Sequence, residues 1–239
     1  MLIISDLDPE GHVRATTVLD NLIAAGDLPP TLGLFVTPGL RIGHSHVTDR
    51  RDMSEGLASL GWSGQADQRQ RSFEYDSLTD LLPRFLLEDL LPVIEKEYRI
   101  SPRGADRAVV GMSSGGIGAF NCAWHFPECF GRVISMCGSF TNIRGGHNYP
   151  WIVRNTVPAK PIHKVWLQSG ENDLNNAHGS WPLANQELSL ALEWAGYSHQ
   201  LHIGKGTHSI RHGGSVFPDT CRWIWTDDDA RGASAQPRL

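Results

Sequence analysis

The 239-residue sequence predicts an α/β domain with a mostly parallel central sheet and helices on both faces. Short apolar runs alternate with longer segments of helical periodicity, which is typical of a parallel sheet covered by helices. Hydrophobic residues make up 40% of the chain, enough to bury one core. Because we find no internal repeat and no interdomain linker, we assign residues 1–226 to a single domain and expect residues 227–239 to be a disordered polar tail.

The individual elements follow from the spacing of apolar residues and from glycine and proline stop signals. Predicted strands cover residues 2–5, 32–37, 108–110, 133–137, 165–168 and 201–203. Predicted helices cover residues 15–25, 78–98, a stretch from about 114, residues 186–195, and a final helix that ends at 222–225. Residues 40–72 are polar and rich in Gly, Ser, Asp and Arg, so we expect one long loop there.

The chain begins inside its first predicted strand, with nothing upstream to pair with it. A sheet of this class normally has further bordering strands, so we expect N-terminal strands to be missing and the strand at 2–5 to lack a neighbour. Unpaired apolar strands favour association. We therefore expect a reading frame that is short at its N terminus and a chain that forms homo-oligomers.

The most informative segment is the G-x-S-x-G pentapeptide at residues 111–115, which follows an apolar run and precedes a helix-like stretch. This context is typical of a nucleophile elbow, a sharp turn that exposes a reactive serine. Gly111 and Gly115 remove Cβ atoms that would clash as strand and helix close together. Free N–H groups at the helix N terminus favour a developing oxyanion. We predict Ser113 as the nucleophile and the Ser114 N–H as one oxyanion donor.

A pentapeptide of this kind also occurs by chance in a chain with 25 glycines, so the prediction depends on its context. Ile117, Phe120 and Trp124 recur after the serine at helical spacing, as the core-facing stripe of an amphipathic helix would. We interpret these three side chains as packing residues.

A nucleophilic serine needs a histidine base and a carboxylate that fixes the histidine tautomer, in the chain order Ser, acid, His for this kind of elbow. The strand at 165–168 leads into a loop with Glu171 and Asp173, and we predict Asp173 as the acid because it lies deeper in the loop. The strand at 201–203 leads into a glycine-rich loop with His208, the predicted base. His212 is the alternative base.

Charge and hydropathy argue against two classes of partner. The net charge is −5 and the 21 basic residues are scattered, so we expect no nucleic-acid partner. No apolar run approaches the length of a membrane span, and we expect no membrane partner. The first residues show no signal-peptide pattern, so the location is not identified and the cytoplasm is the default expectation.

Histidine and cysteine spacing gives no metal signature. The pairs at 44/46 and 208/212 lack the helical setting and adjacent glutamate of a zinc protease site, so we predict no metal and no cofactor. The four cysteines form no C-x-x-C pair, and we expect all of them to be unpaired residues in or near the core.

Further segments extend the pattern along the chain in order. They are RSFEYD at 71–76, FLLEDLLP at 85–92, GMSSGG at 111–116, GSFTNIRGG at 138–146, QSGENDL at 168–174, WPLAN at 181–185 and GTHSIRHGG at 206–214. Together these segments resemble the enterochelin-esterase-like branch of the esterase D family over nearly the whole chain. The resemblance implies an α/β-hydrolase fold and serine esterase chemistry, with Ser113 as nucleophile, Asp173 as acid and His208 as base.

The chain departs from that family at the turn after the first strand. Family members tend to carry Asp-Gly where this chain has Asp6-Leu7. That turn is expected to supply the second oxyanion N–H, which we assign to Leu7.

The sequence therefore predicts a single α/β-hydrolase catalytic domain that hydrolyses a small carboxylic ester of siderophore-lactone or sugar-ester type. Arg71 and Glu74 are candidate pocket residues or a structural ion pair. Trp181 and Asn185 are candidate substrate contacts, although a tryptophan beside a proline in a long loop is equally typical of packing. Two alternatives stay open: acyl transfer to an alcohol or sugar acceptor, and a non-catalytic truncated relative that binds a ligand.

Overall fold

The computed structural model of the chain describes residues 1–5, 11–39 and 65–226. Within these ranges one sheet has six strands, which are β1 (Leu2–Ser5), β2 (Gly33–Val36), β3 (Ala108–Met112), β4 (Arg132–Met136), β5 (Lys164–Asn172) and β8 (His199–Thr207). Their spatial order is β2-β1-β3-β4-β5-β8, and all neighbouring strands are parallel. A two-stranded antiparallel ribbon joins β6 (Asn175–Asn176) to β7 (Gly179–Ser180). The predicted parallel α/β sheet is confirmed.

Helices connect the strands and cover the sheet. They are α1 (Ala15–Ala24), α2 (Gln65–Asp76), α3 (Leu81–Arg84), α4 (Leu91–Ile94), α5 (Ser114–His125), α6 (Tyr149–Asn155), α7 (Trp181–Trp194) and α8 (Ile210–Trp225). A π-helical segment, Phe85–Leu90, joins α3 to α4. There the Leu91 N–H donates to the Leu86 carbonyl five residues back, and Pro92, which has no N–H, follows. The predicted helix at 78–98 is thus confirmed for residues 81–94.

Both faces of the sheet are buried, as a parallel sheet requires. Successive residues of a strand point to opposite faces, so Val109 packs into one hydrophobic cluster while Ala108 and Val110 pack into the other. Helices α5 and α7 contribute to the first cluster, and α1 and α8 to the second. The helices on both faces were predicted from the alternation of apolar runs and amphipathic segments.

The expectation that the first strand lacks a neighbour is wrong. Strand β1 lies inside the sheet, where Leu2 pairs with Gly33 of β2 on one side and with Ala108 of β3 on the other. Leu2 and Ile3 are fully buried. Among the described strands, β2 is the edge on this side, because the chain after β2 crosses back over β1 to form β3.

The expectation of one long loop at 40–72 is wrong for residues 65–72, which belong to α2. The rest of that expected loop, residues 40–64, lies outside the described ranges, and so does the expected tail at 227–239. Helix α2 is polar in sequence, yet its C-terminal turn packs closely on α5. If Gly118 of α5 carried a Cβ, that atom would lie 3.4 Å from the Cβ of Tyr75. Tertiary packing therefore stabilises a helix that hydrophobic periodicity does not reveal.

Three late elements are longer than predicted, and one of them is β8, which covers His199–Thr207 instead of residues 201–203. Strand β5 extends through Glu171 to Asn172. Helix α7 begins at Trp181 instead of residue 186, with Pro182 in its first turn. Backbone N–H groups of the first turn have no partner within the helix, so a proline there costs no hydrogen bond. In the described part of the chain, no helix combines the length and the hydropathy needed to cross a lipid bilayer.

The four cysteines are free thiols, as predicted. Burial raises the pKa of Cys137 and of Cys221 to about 12 and raises the pKa of Cys122 still further. Cys129 is the partly exposed member, and burial raises its pKa as well.

We expect Ellman's reagent to modify Cys129 first in the folded protein at pH 8. A thiol with a pKa near 12 is ionised to only about one part in 10⁴ at that pH, and the thiolate is the reactive form. In 6 M guanidinium, which unfolds the chain, all four cysteines should react rapidly. Fast reaction of two or more thiols in the folded protein would contradict this expectation, and Cys129→Ser identifies the fast site.

Candidate active site

The predicted strand, sharp turn and helix around Ser113 are confirmed. Strand β3 ends at Met112, and α5 begins at Ser114. Between them Ser113 has φ 57° and ψ −117°, a conformation that is costly for a residue with a side chain. A Cβ at Gly111 would lie 2.1 Å from the carbonyl oxygen of Gly115, so only glycine permits this approach of strand and helix.

The structure brings three of the predicted side chains into one hydrogen-bonded row. Ser113 Oγ lies 3.0 Å from His208 Nε2, and His208 Nδ1 lies 2.5 Å from Asp173 Oδ1. An ionised carboxylate only accepts, so the Nδ1–H of His208 donates to Asp173 and the Nε2 lone pair accepts from the Ser113 hydroxyl. In this arrangement the imidazole is positioned to remove the serine proton.

Two strand ends position the acid and the base. Strand β8 extends to Thr207, so His208 follows it directly, and Ser209 caps the next helix by accepting from the Arg211 N–H. Asp173 follows β5, which pairs with β8. Parallel neighbours end at the same edge of the sheet, which places the two residues side by side.

The environment of Asp173 favours its ionised form. Its side chain is fully buried, and burial alone would raise its pKa. Hydrogen bonds from His208, from the Ser169 hydroxyl at 2.8 Å and from the Leu174 N–H at 2.7 Å outweigh burial and lower the pKa of Asp173 below its usual value. Asp173 is therefore a carboxylate at neutral pH.

Glu171 and His212, the alternative acid and base considered from the sequence, are not part of this hydrogen-bonded row. Glu171 is exposed on β5. His212 lies on α8, where its Nδ1 is 2.8 Å from Gln168 Nε2. Burial, followed by the neighbouring His202, lowers the pKa of His212.

The structure adds Ser139, which the sequence did not single out. Ser139 Oγ lies 3.2 Å from Ser113 Oγ and accepts a hydrogen bond from Trp181 Nε1 at 3.2 Å. The Trp181 ring also meets the His208 ring edge-on, with 5.7 Å between centroids. A signal existed in the sequence, since Ser139 follows a predicted strand and therefore lies at the same sheet edge as Ser113.

Trp181 and Asn185 are buried close to this row. They are 2% and 0% exposed, respectively. Asn185 Nδ2 donates to the carbonyl oxygens of Gly138 and Trp181, each at 2.9 Å, and so ties the segment after β4 to α7. Both residues pack against the groups of the site, and their contact with a ligand stays a prediction.

Arg71 is hydrogen bonded to both sides of the turn that holds Ser113. Its guanidinium donates to Ser114 Oγ at 2.7 Å and to the Met112 carbonyl at 3.1 Å. The neighbouring Asp76 is 1% exposed. Burial raises the pKa of Asp76, and the hydroxyls of Ser114 and Ser72 and the charge of Arg71 act in the opposite direction.

Glu74 lies one turn further along α2 and accepts from the Gly39 N–H at 2.9 Å. It lines a cavity of about 370 Å³ whose other walls are largely apolar. The apolar lining comprises Val36, Phe73, Tyr75, Leu81, Leu82 and Phe85.

The structure describes one of the two predicted oxyanion donors, Ser114. Ser114 is the first residue of α5, where a backbone N–H has no partner within the helix and is available to a ligand. Leu7 lies outside the described residues.

One group in the described part of the chain has metal-ligand chemistry. The donor atoms of Cys137, Asp173 and His208 lie within 4.8 Å of one another. Asp173 and His208 are already hydrogen bonded to each other, and burial, assisted by Asp173, raises the pKa of the Cys137 thiol to about 12. His208 uses one ring nitrogen for Asp173 and the other for Ser113, so the hydrogen-bonded row accounts for the contacts of this group.

Comparison with known proteins identifies the family. The family model described as "Putative esterase" matches residues 10–217. The chain belongs to this esterase family. A similar curated protein is the iron(III) enterobactin esterase of Dickeya dadantii (strain 3937), 29% identical over 233 residues that cover 88% of this chain and 44% of that protein. This member of the esterase family thus spans less than half the length of that relative.

Solved structures share the fold of this esterase-family chain. An enterobactin esterase from Shigella flexneri, in the presence of 2,3-di-hydroxy-N-benzoyl-serine, has a TM-score of 0.67 and 21% identity over 94% of this chain and 51% of its own. A ferulic acid esterase has a TM-score of 0.65 and 18% identity over 93% and 82%, respectively. The likeness to the enterochelin-esterase-like branch and the α/β fold, both predicted from sequence, are confirmed.

The low pKa of Asp173 predicts a pH-dependent contribution to stability. Because its pKa is lower in the folded chain than in the unfolded one, the carboxylate stabilises the fold above about pH 4, and this contribution is lost as the pH falls further. We expect Asp173→Asn to lower the free energy of unfolding by about 1–3 kcal/mol at pH 7 and by less at pH 3.5, measured by urea unfolding.

The matched control is Glu171→Gln, which removes an exposed carboxylate two residues before Asp173, near the end of β5. We expect it to change the free energy of unfolding by less than about 0.5 kcal/mol at both pH values. An equal loss for Asp173→Asn at both pH values would show that the carboxylate charge does not stabilise the fold.

Proposed function

We propose that the chain is a serine esterase that hydrolyses a carboxylic ester through an acyl-enzyme on Ser113. The observation that supports this most is the row from Asp173 through His208 to Ser113, with distances of 2.5 and 3.0 Å, at the turn between β3 and α5. Membership of the esterase family supports the same reaction class.

In the first half of the proposed reaction, Ser113 Oγ attacks the ester carbonyl carbon while His208 Nε2 takes the hydroxyl proton. Asp173 accepts from Nδ1 and stabilises the imidazolium that forms. The tetrahedral intermediate then collapses, and His208 returns the proton to the departing alcohol oxygen. An ester between the acyl group and Ser113 Oγ is left.

In the second half, His208 takes a proton from a water molecule that attacks the acyl carbon. The bond between that carbon and Ser113 Oγ breaks, and Oγ recovers a proton from His208. We assign the Ser114 N–H as the donor that stabilises the oxyanion in both halves, and Leu7 as the second donor. No cofactor takes part in this scheme.

The proposed substrate is a small-molecule ester of siderophore-lactone or sugar-ester type. Two similar proteins are an enterobactin esterase and a ferulic acid esterase by name, and either ester type suits the same acyl-enzyme chemistry. Because the chain covers only 44% of the curated relative, a panel of such esters is the direct way to identify the substrate.

We expect Ser113→Ala and His208→Ala each to lower kcat/KM for a p-nitrophenyl ester by about 10⁴-fold, because nucleophile and base act as a unit. Asp173→Asn should also lower it strongly, since the asparagine amide would favour the wrong histidine tautomer. A fluorophosphonate probe should label wild-type Ser113 stoichiometrically.

The controls are His212→Ala and Glu171→Gln, which remove the alternative base and acid. Both variants should keep kcat/KM within about threefold of wild type. A large loss in either control, with activity retained in His208→Ala or Asp173→Asn, would reverse the assignments. Absence of labelling at Ser113 would refute the serine mechanism.

A further inference from the structure

Ser139 belongs to the segment after β4 and is fully buried beside the nucleophile. Its backbone N–H donates to the Ser113 carbonyl at 3.1 Å, and its hydroxyl lies 3.2 Å from Ser113 Oγ. Its other hydroxyl contact in the described structure is the indole N–H of Trp181, also at 3.2 Å. The hydroxyl therefore lies between one group that can only donate and the nucleophilic oxygen.

Hydrogen bonds link Trp181 to Asp173 through Ser139, Ser113 and His208. The direction of each bond follows from the two residues at the ends, Trp181 and Asp173. Trp181 Nε1 can only donate, so Ser139 Oγ accepts from it and must place its own proton elsewhere. At the other end Asp173 only accepts, so the neutral His208 imidazole carries its proton on Nδ1, and its Nε2 lone pair accepts from the Ser113 hydroxyl. Ser113 Oγ can then only accept from Ser139.

We propose that the Ser139 hydroxyl donates a hydrogen bond to Ser113 Oγ and thereby accelerates breakdown of the acyl-enzyme, with Trp181 as the residue that orients it. This role rests on the serine esterase function proposed above. It makes Ser139 a catalytic residue for the second half of the reaction, because it touches an atom that reacts.

The hydrogen bond favours deacylation because the charge on Oγ changes most there. In the acyl-enzyme, Oγ is the bridging oxygen of an ester and accepts weakly. When the bond between the acyl carbon and Oγ breaks, its electron pair returns to Oγ, and the Ser139 O–H meets growing negative charge until His208 delivers a proton. Ser139 keeps its own proton throughout.

Acylation gains less from the same contact. Oγ of the resting hydroxyl already accepts from Ser139, and attack on the substrate turns it into the weaker acceptor of an ester. The separation of 3.2 Å is long for a hydroxyl pair, which leaves room for the contact to shorten as charge develops on Oγ. The donor is thus worth more in the transition state of deacylation than in the resting enzyme.

The test compares burst kinetics of p-nitrophenyl acetate hydrolysis in wild type, Ser139→Ala, Ser139→Cys and Trp181→Phe. The burst rate reports acylation and the steady-state rate reports deacylation. Ser135→Ala is the matched control, since Ser135 is an equally buried serine on β4 whose hydroxyl has no hydrogen-bond partner among the described residues. Thermal unfolding establishes that each variant folds, and Ser139→Cys keeps the side-chain volume if Ser139→Ala does not fold.

We expect Ser139→Ala to lower kcat about tenfold and KM by a similar factor, so that kcat/KM stays within about twofold. The burst amplitude should approach one nitrophenolate per Ser113, because the acyl-enzyme accumulates. Ser139→Cys, with a weaker donor, should change in the same way, and Trp181→Phe by about threefold. Ser135→Ala should match wild type.

Two results would overturn the proposal. Equal losses in kcat and kcat/KM for Ser139→Ala would indicate a structural role, and an unchanged kcat would indicate none. Failure of the underlying esterase function appears in the wild type alone, as the absence of both hydrolysis and fluorophosphonate labelling at Ser113, before any variant is compared.

Discussion

Strand β3 and helix α5 approach so closely that a Cβ at Gly111 would lie 2.1 Å from the carbonyl oxygen of Gly115. That approach holds Ser113 at φ 57°, and neighbouring backbone groups stabilise the strained turn. The Ser113 N–H donates to the Met136 carbonyl of β4 at 2.9 Å, and the Ser113 carbonyl accepts from the Ser139 N–H at 3.1 Å. The turn therefore depends on the adjacent strand, and the nucleophile and Ser139 are positioned by the same contacts.

The parallel order of the sheet gathers the remaining groups. Strands β4, β5 and β8 are consecutive neighbours, and they end just before Ser139, Asp173 and His208, respectively. Parallel strands present their carboxyl ends at one edge, where loops can combine polar side chains from distant parts of the chain. At that edge the hydrogen bonds to Asp173 outweigh the cost of burying its charge, as its lowered pKa indicates.

Hydrogen-bond direction links the supporting residues to the proposed chemistry. Asp173 only accepts and the Trp181 indole only donates, so each hydroxyl and the imidazole between them have one consistent orientation. Asn185 holds the Gly138 carbonyl and Arg71 holds Ser114 Oγ, which stabilises the row on two sides. Under the proposed mechanism, a preorganised row of this kind costs little reorganisation when charge develops on Ser113.

The sequence by itself determined the α/β class, most strands, the turn at Ser113, and the placement of Asp173 and His208 after late strands, because these depend on local periodicity and on glycine spacing. Only the tertiary structure decided the position of β1 inside the sheet, the helical state of residues 65–72 and the role of Trp181 as the start of a helix. It also decided that Ser139 touches Ser113. Strand order, packing of a polar helix and contact between hydroxyls all depend on residues far apart in the chain, which local patterns do not encode.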